Sequence, residues 1–188
     1  MSDATTGYRT ALDGFDATIR RVPADAWGNP SPCDGWSALD VAGHVIGGLH
    51  MARLLASGGN PSFQSTLSRE VAGDDPVATW ESARDAVLAA LTPESLARSV
   101  PGPMGEMPLG AMLEQFMTGE VLVHTWDLAR AAGLDVTLDP GLVEDTFARW
   151  EPMDSPTMRQ PGVFSGRLTA PEGAGRQEQL MAFLGRRV

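Results

Sequence analysis

Glu120 and His124 stand four residues apart in a stretch with helical periodicity. On a helix that spacing separates them by about 40° in azimuth and about 6 Å along the axis, and Asp127 falls within about 20° of Glu120. Leu113, Phe116, Met117 and Ala131 share the stripe, so two carboxylates and an imidazole lie on the face expected to meet the core. A buried Glu120 without a partner would be strongly disfavoured or driven neutral. Two arrangements would satisfy it. One is a buried pair with an imidazole or an arginine, for which Arg84 and Arg130 are available. The other is a divalent metal ion, which takes an ionised carboxylate and a neutral imidazole together.

His44 adds to the second possibility. It lies mid-helix in VAGHVIGG, among Gly43, Gly47 and Gly48. Each mid-helix glycine costs about 1 kcal/mol relative to alanine, so their cluster suggests that bulk is unwelcome beside this imidazole. Close helix packing around a core histidine would explain the same glycines. His50 lies about 120° from His44 around the helix and is read as a non-ligand. His44, Glu120 and His124 therefore form a candidate metal set of two histidines and one carboxylate, and three protein ligands with a vacant fourth position is the pattern of catalytic zinc. Asp127 could hold an imidazole N–H or a bound water beside the ligands, pair with Arg130, or face solvent. Cys33, the single cysteine, reads as a small buried anchor beside Trp36, with a thiolate ligand or redox handle as the other reading.

Helices must position these groups. The spacing predicts a first helix over 5–21, with Leu12, Phe15 and Ile19 inward. A second runs from Ser37, which forms a capping-box pattern with Asp40, to Ser57-Gly58-Gly59; its apolar positions are Val41, Val45, Ile46, Leu49, Leu54 and Leu55. A third covers 76–91 with Trp80, Ala83, Val87 and Leu91 inward and Pro93 just past its end. PGPMGEMPLG is a loop or hairpin-like strap, and the fourth helix starts near Pro108 and ends at Gly133. A fifth covers 140–151 and a last one 176–185. Between them runs an irregular wrap with an extended piece over 162–168. With no βαβ rhythm the fold class is all-α, a helical bundle in one domain spanning 1–188, its tail from 153 wrapping the bundle.

Composition narrows the function. The chain has 188 residues and a formal net charge of −10, which argues against nucleic acid or anionic lipid as partners. One cysteine excludes an intramolecular disulfide. There is no signal-peptide core or membrane span, so the expected location is cytoplasmic. The third helix and the strap could support a homodimer; a monomer is equally compatible.

SPCDGWSALDVAGHVIGG, FMTGEVLVHTWDLARAAG and the terminal LMAFLGRR together resemble the DinB-like metal-binding superfamily, in the branch that includes the N-terminal domain of mycothiol-dependent maleylpyruvate isomerase. The joint pattern is Pro-Cys-x-x-Trp, a helical His, then Glu-x-x-x-His-x-x-Asp-Leu. The resemblance implies a four-helix bundle with a divalent metal, usually zinc, held by His44, Glu120 and His124, and Trp36 as an anchor for the His44 helix. Glu120 stands where the wider superfamily often has a third histidine, as in the isomerase branch. The segment after the fifth helix is shorter than the roughly 50 residues a second domain needs, so the metal site and thiol chemistry carry over rather than the isomerase substrate.

The expected function is a thiol-dependent transferase or isomerase, with a mycothiol-type co-substrate and a small electrophile. The alternatives are a non-catalytic, metal-stabilised binding or stress protein, and a non-haem iron enzyme built on the same three residues. The reading assigns no catalytic acid or base; Tyr8, Arg84 and Asp127 are the candidates.

Overall fold

The computed structural model describes residues 4–60, 69–103, 105–156, 159 and 165–188. Its helices are α1 (Ala4–Ile19), α2 (Ala38–Ala56), α3 (Pro76–Ala90), α4 (Pro93–Ala97), α5 (Leu109–Met112), α6 (Thr118–Ala131), α7 (Pro140–Trp150) and α8 (Arg176–Phe183). Helices α1, α2, α3 and α6 form the four-helix bundle, with α6 packed on both α1 and α2 and α3 closing the ring; α7 bridges α6 to α8. The expected inward residues of α1 and α3 are buried, and so are those of α2 except Leu54, which is 43% exposed. That residue lies in the last turn of α2 and folds over Gly59 instead of entering the core.

Local chemistry sets the helix ends. Ser37 and Asp40 make the reciprocal capping box on α2: the Asp40 N–H donates to Ser37 Oγ at 3.3 Å and the Ser37 N–H donates to Asp40 Oδ2 at 2.9 Å. Asp75 and Asp139 cap α3 and α7, each followed by a proline in the first turn. Gly133, with φ +68°, ends α6 as expected. Pro93 lies just past the end of the α3 helix, as expected. Thr92 caps a new one, and Pro93 opens α4, a short turn the apolar periodicity does not announce.

The strap is a two-stranded antiparallel hairpin, β1 (Ser99–Gly102) with β2 (Gly105–Pro108), in register Val100 to Met107. The expected fourth helix is continuous from 109 to 131, but Leu113–Met117 forms a π turn between α5 and α6. Thr118 Oγ1 donates to the Leu113 carbonyl at 2.9 Å, and Trp150 Nε1 donates to the Gln115 carbonyl at 2.9 Å, so two carbonyls of the widened turn gain side-chain partners. After the 3₁₀ turn at Glu151–Met153, the described residues before α8 form no further helix or strand. Of the expected extended piece, 162–164 lie outside the described residues, while 165–168 form no strand. No helix among the described residues is long and apolar enough to cross a membrane.

Candidate metal centre

The loop before α2 brings Cys33 and Trp36 against α6. Asn29 Nδ2 donates to the Ala131 carbonyl near the end of α6 at 3.1 Å, and the Ala38 and Leu39 amides donate to the Asn29 and Trp27 carbonyls. The Trp36 ring then lies 5.8 Å from the His124 ring, nearly parallel, and 5.0 Å from His44. One indole thus packs against both imidazoles, which gives the expected anchor a direct orienting contact.

His44 of α2 and Glu120 and His124 of α6 meet at the α2–α6 interface. His44 Nε2 and His124 Nε2 each lie 3.4 Å from Glu120 Oε2. One ligand atom from each of the three falls within 4.8 Å of the others. An ion with tetrahedral ligands at about 2.0–2.1 Å separates neighbouring ligand atoms by roughly 3.3 Å, so both distances to the carboxylate suit such an ion. They are long for hydrogen bonds. The Glu120 side chain is 50% exposed, not core-facing as its stripe suggested, whereas that of His124 is 8% exposed. The cluster therefore has a buried side and an open side. Gly48, one turn past His44, leaves open space where a side chain would stand. Gly43 and Gly47 are buried.

The buried side is a chain of polar contacts. His124 Nδ1 lies 2.9 Å from Asp127 Oδ2. Arg186, next to the C-terminal end, forks onto the same carboxylate, with Nη2 at 2.9 Å from Oδ2 and Nε at 3.2 Å from Oδ1. Cys33 Sγ donates to Asp127 Oδ2 at 3.2 Å. A carboxylate on Nδ1 fixes the ring and leaves Nε2 for an ion, the usual environment of a metal-binding histidine. His44 Nδ1, by contrast, is buried with no hydrogen-bond partner among the described residues. Its ring is held by packing against Trp36.

Cys33, His124 and Asp127 form a second group of close ligand atoms. Arg186 Nη2 lies 2.9 Å from Asp127 and 3.5 Å from Cys33 Sγ, so a guanidinium already occupies the edge where a cation would need to sit. Charge repulsion favours the His44–Glu120–His124 set.

The electrostatics arise from these contacts. Burial would raise the Asp127 carboxyl, but the His124 hydrogen bond and the Arg186 charge hold it down at about 2. Burial would lower the His124 imidazole, yet its hydrogen bond to Asp127 and its polar contacts with Cys33 and Glu120 carry it well above the ordinary histidine value. Glu120 is likewise pulled far down by the two imidazoles against the cost of desolvation. A cation in the cluster would take over the role of the proton on His124.

The other candidates have different partners. Arg84 pairs with Asp16 at 2.6 Å and with Asp85, and Arg130 lies over the Trp126 ring. Neither serves Asp127; Arg186 does, and no local pattern marks it because it lies 59 residues away. Tyr8 is fully buried with no partner for its hydroxyl among the described residues, and burial pushes its phenol up. A cavity of about 240 Å³ between α1, α6 and 135–142 contains none of the cluster, and its Thr18 and Thr125 hydroxyls already donate to helix carbonyls.

With this geometry in view, similarity to known proteins places the chain. Over 77% of its length it superimposes on the crystal structure of the mycothiol-dependent maleylpyruvate isomerase, with a TM-score of 0.63 and 17% identity, and covers 66% of that chain. The likeness is one of fold. Two uncharacterised proteins from strains of Mycobacterium tuberculosis are 32% identical over 190 residues, covering 99% of this chain and 99% of each relative. The profile of the mycothiol maleylpyruvate isomerase N-terminal domain matches residues 8–129, a span that contains His44, Glu120, His124 and Asp127. The chain belongs to the mycothiol maleylpyruvate isomerase N-terminal domain family.

Proposed function

We propose that His44, Glu120 and His124 hold a divalent metal ion, zinc by the chemistry of the set, and that the protein is a thiol-dependent transferase or isomerase acting on a small electrophile. The observation that carries this reading is the meeting of two Nε2 atoms on one carboxylate oxygen at 3.4 Å, with the Glu120 edge open to solvent. Two imidazoles and one carboxylate are three ligands of a kind zinc takes at catalytic centres, with a fourth position left for an exogenous group. Bound there, the ion would lower the pKa of a thiol as it does that of water.

The chain's own residues do the rest. Asp127 fixes the His124 ring through Nδ1, and Trp36 walls the cluster on the loop side. Gly48 keeps space open beside His44 for a substrate. In the reaction the thiol gives its proton to water at the mouth and its sulfur bonds an electrophilic carbon. Either a leaving group departs with the electron pair of its bond, or the π pair of a carbon–carbon double bond moves onto a conjugated carbonyl oxygen, the resulting single bond rotates, and return of that pair re-forms the double bond and expels the thiolate. The family and its isomerase member of like fold make a mycothiol-type thiol the first co-substrate to try. Titrating zinc-loaded protein with mycothiol in a calorimeter should give saturable binding that Glu120→Ala abolishes. Absence of thiol binding by metal-loaded protein would contradict the thiol-dependent reading.

A further inference from the structure

Resting on the metal reading, we propose that Arg186 is a positioning residue for that site: it holds Asp127 so that His124 presents Nε2 to the ion, which couples docking of the C-terminal segment to metal binding. The local structure aims the side chain. The turn that ends α8 contains Gly185, whose φ is +85°. The Gly185 N–H donates to the Ala182 carbonyl at 3.0 Å and the Arg186 N–H to the Met181 carbonyl at 2.9 Å, a Schellman-type ending that turns the chain back toward α6. The turn is tightly packed, since a Cβ at Gly185 would come within 2.6 Å of Ser165 Cβ and 2.8 Å of the Gly166 carbonyl.

From that turn the guanidinium makes its two-point fork on Asp127, while Nη1 donates to the Leu184 carbonyl at 3.1 Å. A bidentate fork fixes the plane of a carboxylate, which one hydrogen bond does not. The Asp127 side chain has no solvent exposure, so in the folded chain the arginine, and not bulk water, meets its outer edge. Its Oδ2 is the atom that bonds His124 Nδ1 at 2.9 Å. Arg186, Asp127 and His124 are thus one chain of contacts ending at the ion, and its first member lies outside the 8–129 span of the family match. If the docked segment favours metal binding, bound metal must favour the docked segment by the same factor.

The test compares zinc affinity, by competition with a chromophoric chelator, in the full-length wild type, Arg186→Met and Arg186→Lys, together with the visible spectrum of each after cobalt(II) loading. Arg186→Met should bind zinc about 10- to 100-fold more weakly, the range for loss of an outer partner of a metal ligand. Arg186→Lys keeps the charge but not the fork and should fall between, with a cobalt spectrum shifted from wild type. In the wild type, zinc should slow amide hydrogen exchange over 180–188 beyond its effect on α3, which contributes no residue to the cluster. A folded Arg186→Met chain with wild-type zinc affinity overturns the proposal. If that variant does not fold, Arg186→Lys with wild-type affinity and an unchanged cobalt spectrum overturns it. A wild-type chain that binds no zinc overturns the metal reading itself, a different result from zinc binding that ignores Arg186.

Discussion

At the scale of single residues, Asp127 joins structure to chemistry. It is wholly buried, bonded to His124 on one side and to Arg186 on the other. Its folded-state pKa of about 2 lies below the ordinary value of 3.8, so the stability this contributes is fully present above the unfolded value and is lost as pH falls through the folded one. The difference corresponds to about 2 kcal/mol. Acid unfolding of metal-free protein should therefore show a stability loss of that order between about pH 4 and pH 2, and Asp127→Asn should remove it. The same variant leaves Arg186 buried without a counter-charge and should cost about 3–5 kcal/mol at neutral pH by urea unfolding. Much of the residue-level site was legible in advance. Four-residue spacing puts Glu120 and His124 together, and glycines gather around His44. The partner of Asp127 was not legible, because an arginine near the end of the chain reaches the site only through the turn at Gly185.

At the scale of elements, α6 must approach α2 on one side and α7 on the other. Gly119 permits the second contact: a Cβ there would stand 2.5 Å from Trp150 Cζ2 and 3.0 Å from Thr146 Cγ2. Gly119→Ala should push α7 outward and cost about 1–3 kcal/mol by chemical unfolding, the usual range for overpacking. Gly48 has the opposite character. Nothing stands within 4 Å of the added Cβ, so Gly48→Ala should stabilise metal-free protein by about 0.5–1 kcal/mol while narrowing the mouth beside His44. An increase in melting temperature together with weaker thiol binding would be the expected pair of results. Helix placement was readable from caps and apolar stripes, as Ser37, Asp40 and Trp80 illustrate. The π turn was not, since widening one turn leaves the apolar stripe intact, and α4 is too short to carry a period.

At the scale of the whole molecule, four helices bring two distant stretches of chain to one point, and the hairpin, α7 and α8 close around them. The bundle could be foreseen from long apolar-periodic segments joined by turns rich in glycine and proline. That Glu120 would lie at an open edge while Asp127 lies fully inside could not, because periodicity gives a direction from the helix axis and not the depth of neighbouring helices. The net charge of −10 is compatible with a site whose local field is set by a bound cation. The most direct test is the zinc content of purified wild type and of the Glu120→Ala/His124→Ala double variant, measured by elemental analysis after equal exposure to zinc and removal of free ion. The account predicts one ion per wild-type chain and almost none in the folded double variant; equal zinc in both would contradict it.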